Sequence, residues 1–128
     1  MKRDIQNLED IQTLVNQFYG TVRLDPLLGP IFIRAIRERW PEHLEKMYRF
    51  WQTILLDEHT YSGSPFAPHA DMPLEKDHFE RWLRCWRETV RELFTGPLAE
   101  EAMWRAEKMA EIFLCKIEYS GKGLGKSV

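Results

Sequence analysis

Apolar residues recur at intervals of three and four through most of this chain, and the pattern stops at prolines and glycines. Ile11, Leu14, Val15, Phe18, Tyr19 and Val22 share one helical face. Asn7 is a good N-cap with Asp10 three residues on, as in a weak capping box. Asp25-Pro26 ends this first helix, because proline disfavours helix in the residue before it. Leu27 to Phe32 reads as a tight apolar corner turned by Gly29-Pro30, and Ile33 to Arg39 as a short, strongly basic helical piece. Trp40-Pro41 opens a second long helix, since proline is tolerated in the first turn. Its apolar face is Leu44, Met47, Tyr48, Trp51, Ile54 and Leu55. A third runs from about Asp77 to Phe94, buried along Phe79, Trp82, Leu83, Trp86 and Val90. Thr95-Gly-Pro97 breaks the chain again. The last helix, about Leu98 to Tyr119, is expected to bury Ala102, Met109, Ile112, Phe113 and Ile117. Nothing reads as a strand, so the fold class is all-α.

Asp57 to Asp77 has no such period. It carries Pro65, Pro68, Pro73 and Gly63, with His69 near its centre. Connections this long are uncommon inside compact domains and are functional or disordered. Tyr61, Phe66 and Met72 give apolar anchors and the prolines restrict the backbone, which argues for order. The segment is expected to present His69 to something held between the flanking helices.

With 128 residues, 44% apolar and 30% charged, the chain is one ordinary globular domain, residues 1–128. A formal charge of −2 gives no reason to expect nucleic acid or an anionic membrane as partner. No apolar run approaches the ~18 residues of a membrane span, and Met1-Lys-Arg-Asp leads into no secretory segment, so a cytoplasmic protein is expected. Cys85 and Cys115 sit in helical patterns without a CxxC and read as reduced core thiols. The tail, residues 120–128, holds Gly-x-Gly-x-Gly. No strand precedes it and no helix follows, so it reads as a flexible terminus and not a nucleotide loop.

Five tryptophans in so short a chain form either core or the walls of a flat aromatic site. Tyr19 is the polar-tipped member of a greasy stripe, so its hydroxyl needs a partner, either a backbone carbonyl or a ligand. Phe32 is core or a ring against a planar ligand. His43 lies four residues before Met47 and eight before Trp51, in the first helical turn at the mouth of whatever the helix covers. It is a half-exposed surface residue or a pocket residue. Lys46 and Arg49 are solvated, or reach an anionic edge. Trp82 and Trp86 give an aromatic wall whose N–H groups want acceptors.

The four histidines show no HxxxH or HExxH spacing, and no serine elbow, phosphate loop or carboxylate pair stands out. A single histidine facing an aromatic cavity suits a cofactor that brings its other ligands, as haem does.

Phe18-Tyr19, Leu28-Gly-Pro-Ile-Phe32, Trp40-x-x-His43, Phe50-Trp51, His69 and Trp82, in this order and spacing, resemble the truncated haemoglobins, specifically group III of that bacterial family. The absence of a Gly-Gly pair fits the same group. The resemblance covers nearly the whole chain and implies a two-over-two helical sandwich binding haem b. It implies His69 as the iron ligand, with Tyr19 and Trp82 as distal donors and His43 near the pocket entrance. Phe32, Met47 and Trp51 become expected cofactor contacts, and Lys46 a propionate partner. His78, at the start of the next helix, is the obvious competitor for the iron.

The expected function is a globin that binds dioxygen tightly and releases it slowly, with carbon monoxide, nitric oxide or peroxide as other small ligands. The alternative is a haem redox enzyme, a nitric oxide dioxygenase or peroxidase-like protein, working with a separate reductase. No catalytic residue is assigned.

Overall fold

The computed structural model describes residues 2–63 and 74–126, with side chains as far as Tyr119. Among these described residues five helices follow in order: α1 (Leu8–Leu24), α2 (Gly29–Ile36), α3 (Trp40–Leu56), α4 (Lys76–Leu93) and α5 (Pro97–Lys126). There is no strand among the described residues, and no helix among them is long and apolar enough to cross a membrane. The centre of the α3–α4 connection, with Phe66, His69 and Met72, lies outside the described residues.

The first helix follows its pattern. Asn7 Oδ1 accepts from the Asp10 N–H at 2.9 Å, and the expected face is buried from Ile11 to Val22. Asp25 then caps the helix end, and its carboxylate accepts from the Leu27 and Leu28 amides at 3.0 and 2.9 Å.

The corner differs from expectation. Gly29-Pro30 does not precede a helix at Ile33 but starts one, because proline presets the first-turn backbone and lacks the N–H that a first turn leaves unpaired. Gly29 is required there by contact. A Cβ would stand 2.6 Å from the Arg23 carbonyl oxygen, so α2 begins against the last turn of α1. This helix ends at Ile36 and not Arg39, since Arg37 takes φ 56° and the Arg39 N–H closes a turn on the Ile36 carbonyl at 3.0 Å.

α1 packs on α3, α4 packs on α5, and α1 also meets α4, giving the two-over-two sandwich. Phe18, Trp51 and Trp86 lie at the centre. The Trp51 and Trp86 rings stack at 4.6 Å and 20°, and the Phe18 ring meets Trp86 edge-on at 5.0 Å. The Trp86 Nε1–H donates to the Ala102 carbonyl at 3.0 Å, tying α4 to α5. At the α4–α5 corner, Asp4 accepts from the Leu98 and Ala99 amides, both at 2.9 Å, and so caps α5 from the far end of the chain.

Three expectations for the last helix are corrected. Ile112 is 53% exposed and Cys115 is exposed as well. At 3.6 residues per turn, Ile112 sits about 100° from the buried Phe113 and Cys115 about 200°, off the stripe made by Ala102, Ala106 and Ala110. The helical backbone also runs past the expected end at Tyr119, to Lys126. No proline interrupts that run, and glycine weakens a helix without forbidding it.

Candidate functional site

A cavity of about 880 Å³ opens between the helix pairs. α1 contributes Phe18 and Tyr19, α2 Phe32, α3 His43, Lys46, Met47 and Trp51, and α4 His78, Trp82 and Trp86. All the sequence-derived site residues within the described part of the chain therefore line one space. Tyr61, Ser62 and Gly63 line it on one side of residues 64–73, and Leu74 on the other. Described residues on either side of 64–73 thus line the cavity, while His69 itself lies outside the described residues.

Tyr19 is 7% exposed, and its ring meets those of Phe18 at 4.9 Å, His43 at 5.0 Å and Phe32 at 5.8 Å, all edge-on. No hydrogen bond among the described residues reaches its hydroxyl. Burial pushes its pKa well above the usual phenol value, so it stays a neutral donor. The backbone-carbonyl partner that core tyrosines commonly find is not what this one uses among the described residues.

The two α4 indoles separate in role. Trp86 spends its N–H on Ala102, whereas no hydrogen bond among the described residues engages Trp82. Trp82 is half-buried, lies parallel to Trp86 at 6.3 Å and 3°, and meets Phe18 edge-on at 5.7 Å. It lines the same space as Tyr19.

His43 is half-buried and lines the cavity. Its ring is set against Tyr19 and, at 5.9 Å, against Trp40, and Nε2 is out of solvent contact. Arg23 covers Trp40 with its guanidinium carbon 3.6 Å from the ring centroid. Met47 and Phe32 are half-buried in the wall and Trp51 lies deep beneath them. Lys46 is exposed at the rim, joined there by Arg39 and by Arg49, which pairs with Glu45 at 2.8 Å.

Two residues acquire roles that sequence alone did not give. Arg39 lines the cavity although only the basic run around it was legible. His78 also lines it, but its Nδ1 accepts from the Glu75 N–H at 2.9 Å, as part of a capping box at the start of α4. Glu75-x-x-His78 was the available signal.

Residues 4–114 match the family model for bacterial-like globins. The group 3 truncated hemoglobin of Campylobacter jejuni is 37% identical over 117 residues, covering 88% of this chain and 92% of that protein. The crystal structure of the group III truncated hemoglobin from the same organism superposes with a TM-score of 0.83 at 36% identity, over 91% of this chain and 95% of the other. A two-over-two helical sandwich, an aromatic cavity between its layers and matches over nearly the full length agree: the chain belongs to the bacterial-like globin family, among the group III truncated haemoglobins.

Proposed function

We propose that the cavity holds haem b, that His69 ligates its iron from the α3–α4 connection, and that Tyr19 and Trp82 retain dioxygen strongly and release it slowly. Membership of the globin family implies a haem cofactor and small gas ligands. The observation that carries the finer reading is the buried Tyr19 phenol, a donor without a hydrogen-bond acceptor among the described residues, lining the same cavity as Trp82.

The site fits the cofactor. Its volume falls in the ~300–1,000 Å³ range of small-molecule and cofactor pockets, and its walls are aromatic and apolar with few polar groups. When bound, haem supplies a ferrous iron that takes a diatomic ligand and shifts negative charge onto it. Phe32, Met47 and Trp51 offer apolar surface to a flat ring, and Lys46 and Arg39 stand at the rim where its carboxylates would emerge. His43, held between Tyr19 and Trp40, narrows the approach.

The choice of His69 over His78 rests on hydrogen bonding. A neutral imidazole whose Nδ1 accepts must carry its proton on Nε2, which then has no lone pair for a metal. His78 is in that state, so ligation through Nε2 would require loss of the Glu75 bond at the cap of α4.

Tyr19 and Trp82 come from different helices and line one space whose walls are mostly apolar. Hydrogen bonds to a charged acceptor contribute about 1.5–3 kcal/mol each. Each ~1.4 kcal/mol is tenfold in an equilibrium constant, so losing one donor weakens dioxygen binding roughly ten- to a hundredfold. Tyr19→Phe and Trp82→Phe retain most of the packing. Rapid-mixing measurements are expected to show faster dioxygen dissociation by that factor in each, and unchanged off-rates in both would refute the mechanism.

A further inference from the structure

We infer that the Asp25–Arg81 ion pair is a positioning device for Trp82, fixing where the indole wall of α4 stands relative to Tyr19 on α1. The inference rests on the proposed reading of these two residues as a donor pair.

Asp25 is buried at the end of α1, six residues after Tyr19. One carboxylate oxygen accepts from the Leu27 and Leu28 amides, which lead into α2, and the other accepts from Arg81 Nη1 at 2.7 Å. One side chain therefore joins three cavity walls: α1 with Tyr19, α2 with Phe32 and α4 with Trp82. Arg81 is the residue immediately before Trp82, so its anchor sets the position of that turn of the helix.

Apart from the Phe18–Trp86 ring contact, the other polar ties of α4 among the described residues go elsewhere. Its second half is held to α5 by the Trp86 indole on Ala102 and by Arg87 with Glu107 at 2.8 Å. At its start, Lys76–Glu80 and Glu75–His78 are contacts within the helix and its cap, and do not fix it against a neighbour. Among the described residues Arg81 thus supplies the hydrogen-bonded tie from the front half of α4 to the end of α1, alongside the Phe18–Trp82 ring contact. Hydrogen bonds weaken steeply with poor angle or added length, so two donors serving one small ligand depend on the distance between their helices.

The test uses haem-loaded protein. Arg81→Met removes the tie and leaves Asp25 its two backbone bonds. It is expected to speed dioxygen dissociation by roughly three- to tenfold, less than outright loss of a donor. It should also move the C–O stretching frequency of the ferrous carbon monoxide complex toward that of Trp82→Phe, and shift the Trp82 indole ¹H–¹⁵N resonance in the same diamagnetic complex. Arg81→Lys, which keeps a cation, is expected to retain most of the wild-type values. Asp25→Asn, which keeps an acceptor for the Leu27 and Leu28 amides, should displace the same indole resonance. In a Trp82→Phe background, Arg81→Met should change the off-rate and C–O frequency no further, as for two residues acting through one contact. A Trp82 resonance unmoved by Arg81→Met, or an off-rate change undiminished in the Trp82→Phe background, overturns the inference. If Trp82→Phe itself leaves dissociation unchanged, the donor reading fails. The indole resonance then still decides whether Arg81 positions Trp82.

Discussion

Two tryptophans one turn apart on α4 should respond in opposite ways to the same substitution. Trp86 is 1% exposed and Trp82 half-buried. Trp86→Phe removes the hydrogen bond to the Ala102 carbonyl, about 1 kcal/mol. It also trims the stack on Trp51, where an aromatic pair contributes about 0.5–1.5 kcal/mol beyond area, a part of which phenylalanine keeps. The missing ring atoms leave a void in a closed core, adding on the order of 1–2 kcal/mol. The total is about 2–4 kcal/mol, or a fall in Tm of about 10 °C for a domain of this size. Trp82→Phe breaks no hydrogen bond among the described residues and vacates a partly open site, so it should cost less than about 1 kcal/mol. Urea and thermal unfolding by circular dichroism check this, with haem loading held equal because bound ligand adds stability of its own. Dioxygen dissociation should follow the reverse order, large for Trp82→Phe and small for Trp86→Phe. Equal stability losses, or a Trp86→Phe variant within 0.5 kcal/mol of wild type (about the error of additivity arguments), would refute this division of labour.

Thiol labelling of the native protein should modify Cys115 quickly and Cys85 only on unfolding, since Cys115 is exposed while Cys85 is buried and burial pushes its thiol pKa up. Rapid native labelling of both would contradict the packing of α4. Acid unfolding should involve Asp10 and Asp25. Burial opposes ionisation in each, but Arg3 and the Gln6 amide for Asp10, and the Leu28 and Leu27 amides with Arg81 for Asp25, outweigh it and hold both below the usual carboxylate range. A carboxyl whose folded pKa is depressed adds stability above its unfolded pKa, ~3.9, and loses it as pH falls through the folded value. Stability is therefore expected to hold from neutral pH to about 5 and to fall below about 4, with a shallower acid limb in Asp25→Asn; an identical limb would contradict the assignment.

The helix faces were legible because burial imposes the 3.6-residue period directly on composition, as in Ile11 to Val22. The start of α2 was not, because Gly29-Pro30 serves equally as a turn or as a helix opening. What decides is the approach of Gly29 to the Arg23 carbonyl, a contact absent from local pattern. Ile112 and Cys115 were misplaced by residue type: an aliphatic or a thiol was taken as core although its angle around α5 points outward. The sequence raised the question of what Tyr19 bonds to, and could not say which indole of α4 was already committed. The acceptor for Trp86 is sixteen residues on, in another helix. Asp25 and Arg81 stand 56 residues apart, so nothing local announces their pairing. His78 shows the reverse: its capping role was written in Glu75-x-x-His78, yet it drew notice as a rival metal ligand.

Axial ligation tests the central claim most directly. The protein reconstituted with haem should be red, with a Soret band and a five-coordinate ferrous spectrum. His69→Ala should lose most of its haem retention, while His78→Ala, whose ring is engaged at the cap of α4, should keep both haem and spectrum. Loss of haem in His78→Ala together with a native ferrous spectrum in His69→Ala would contradict the account.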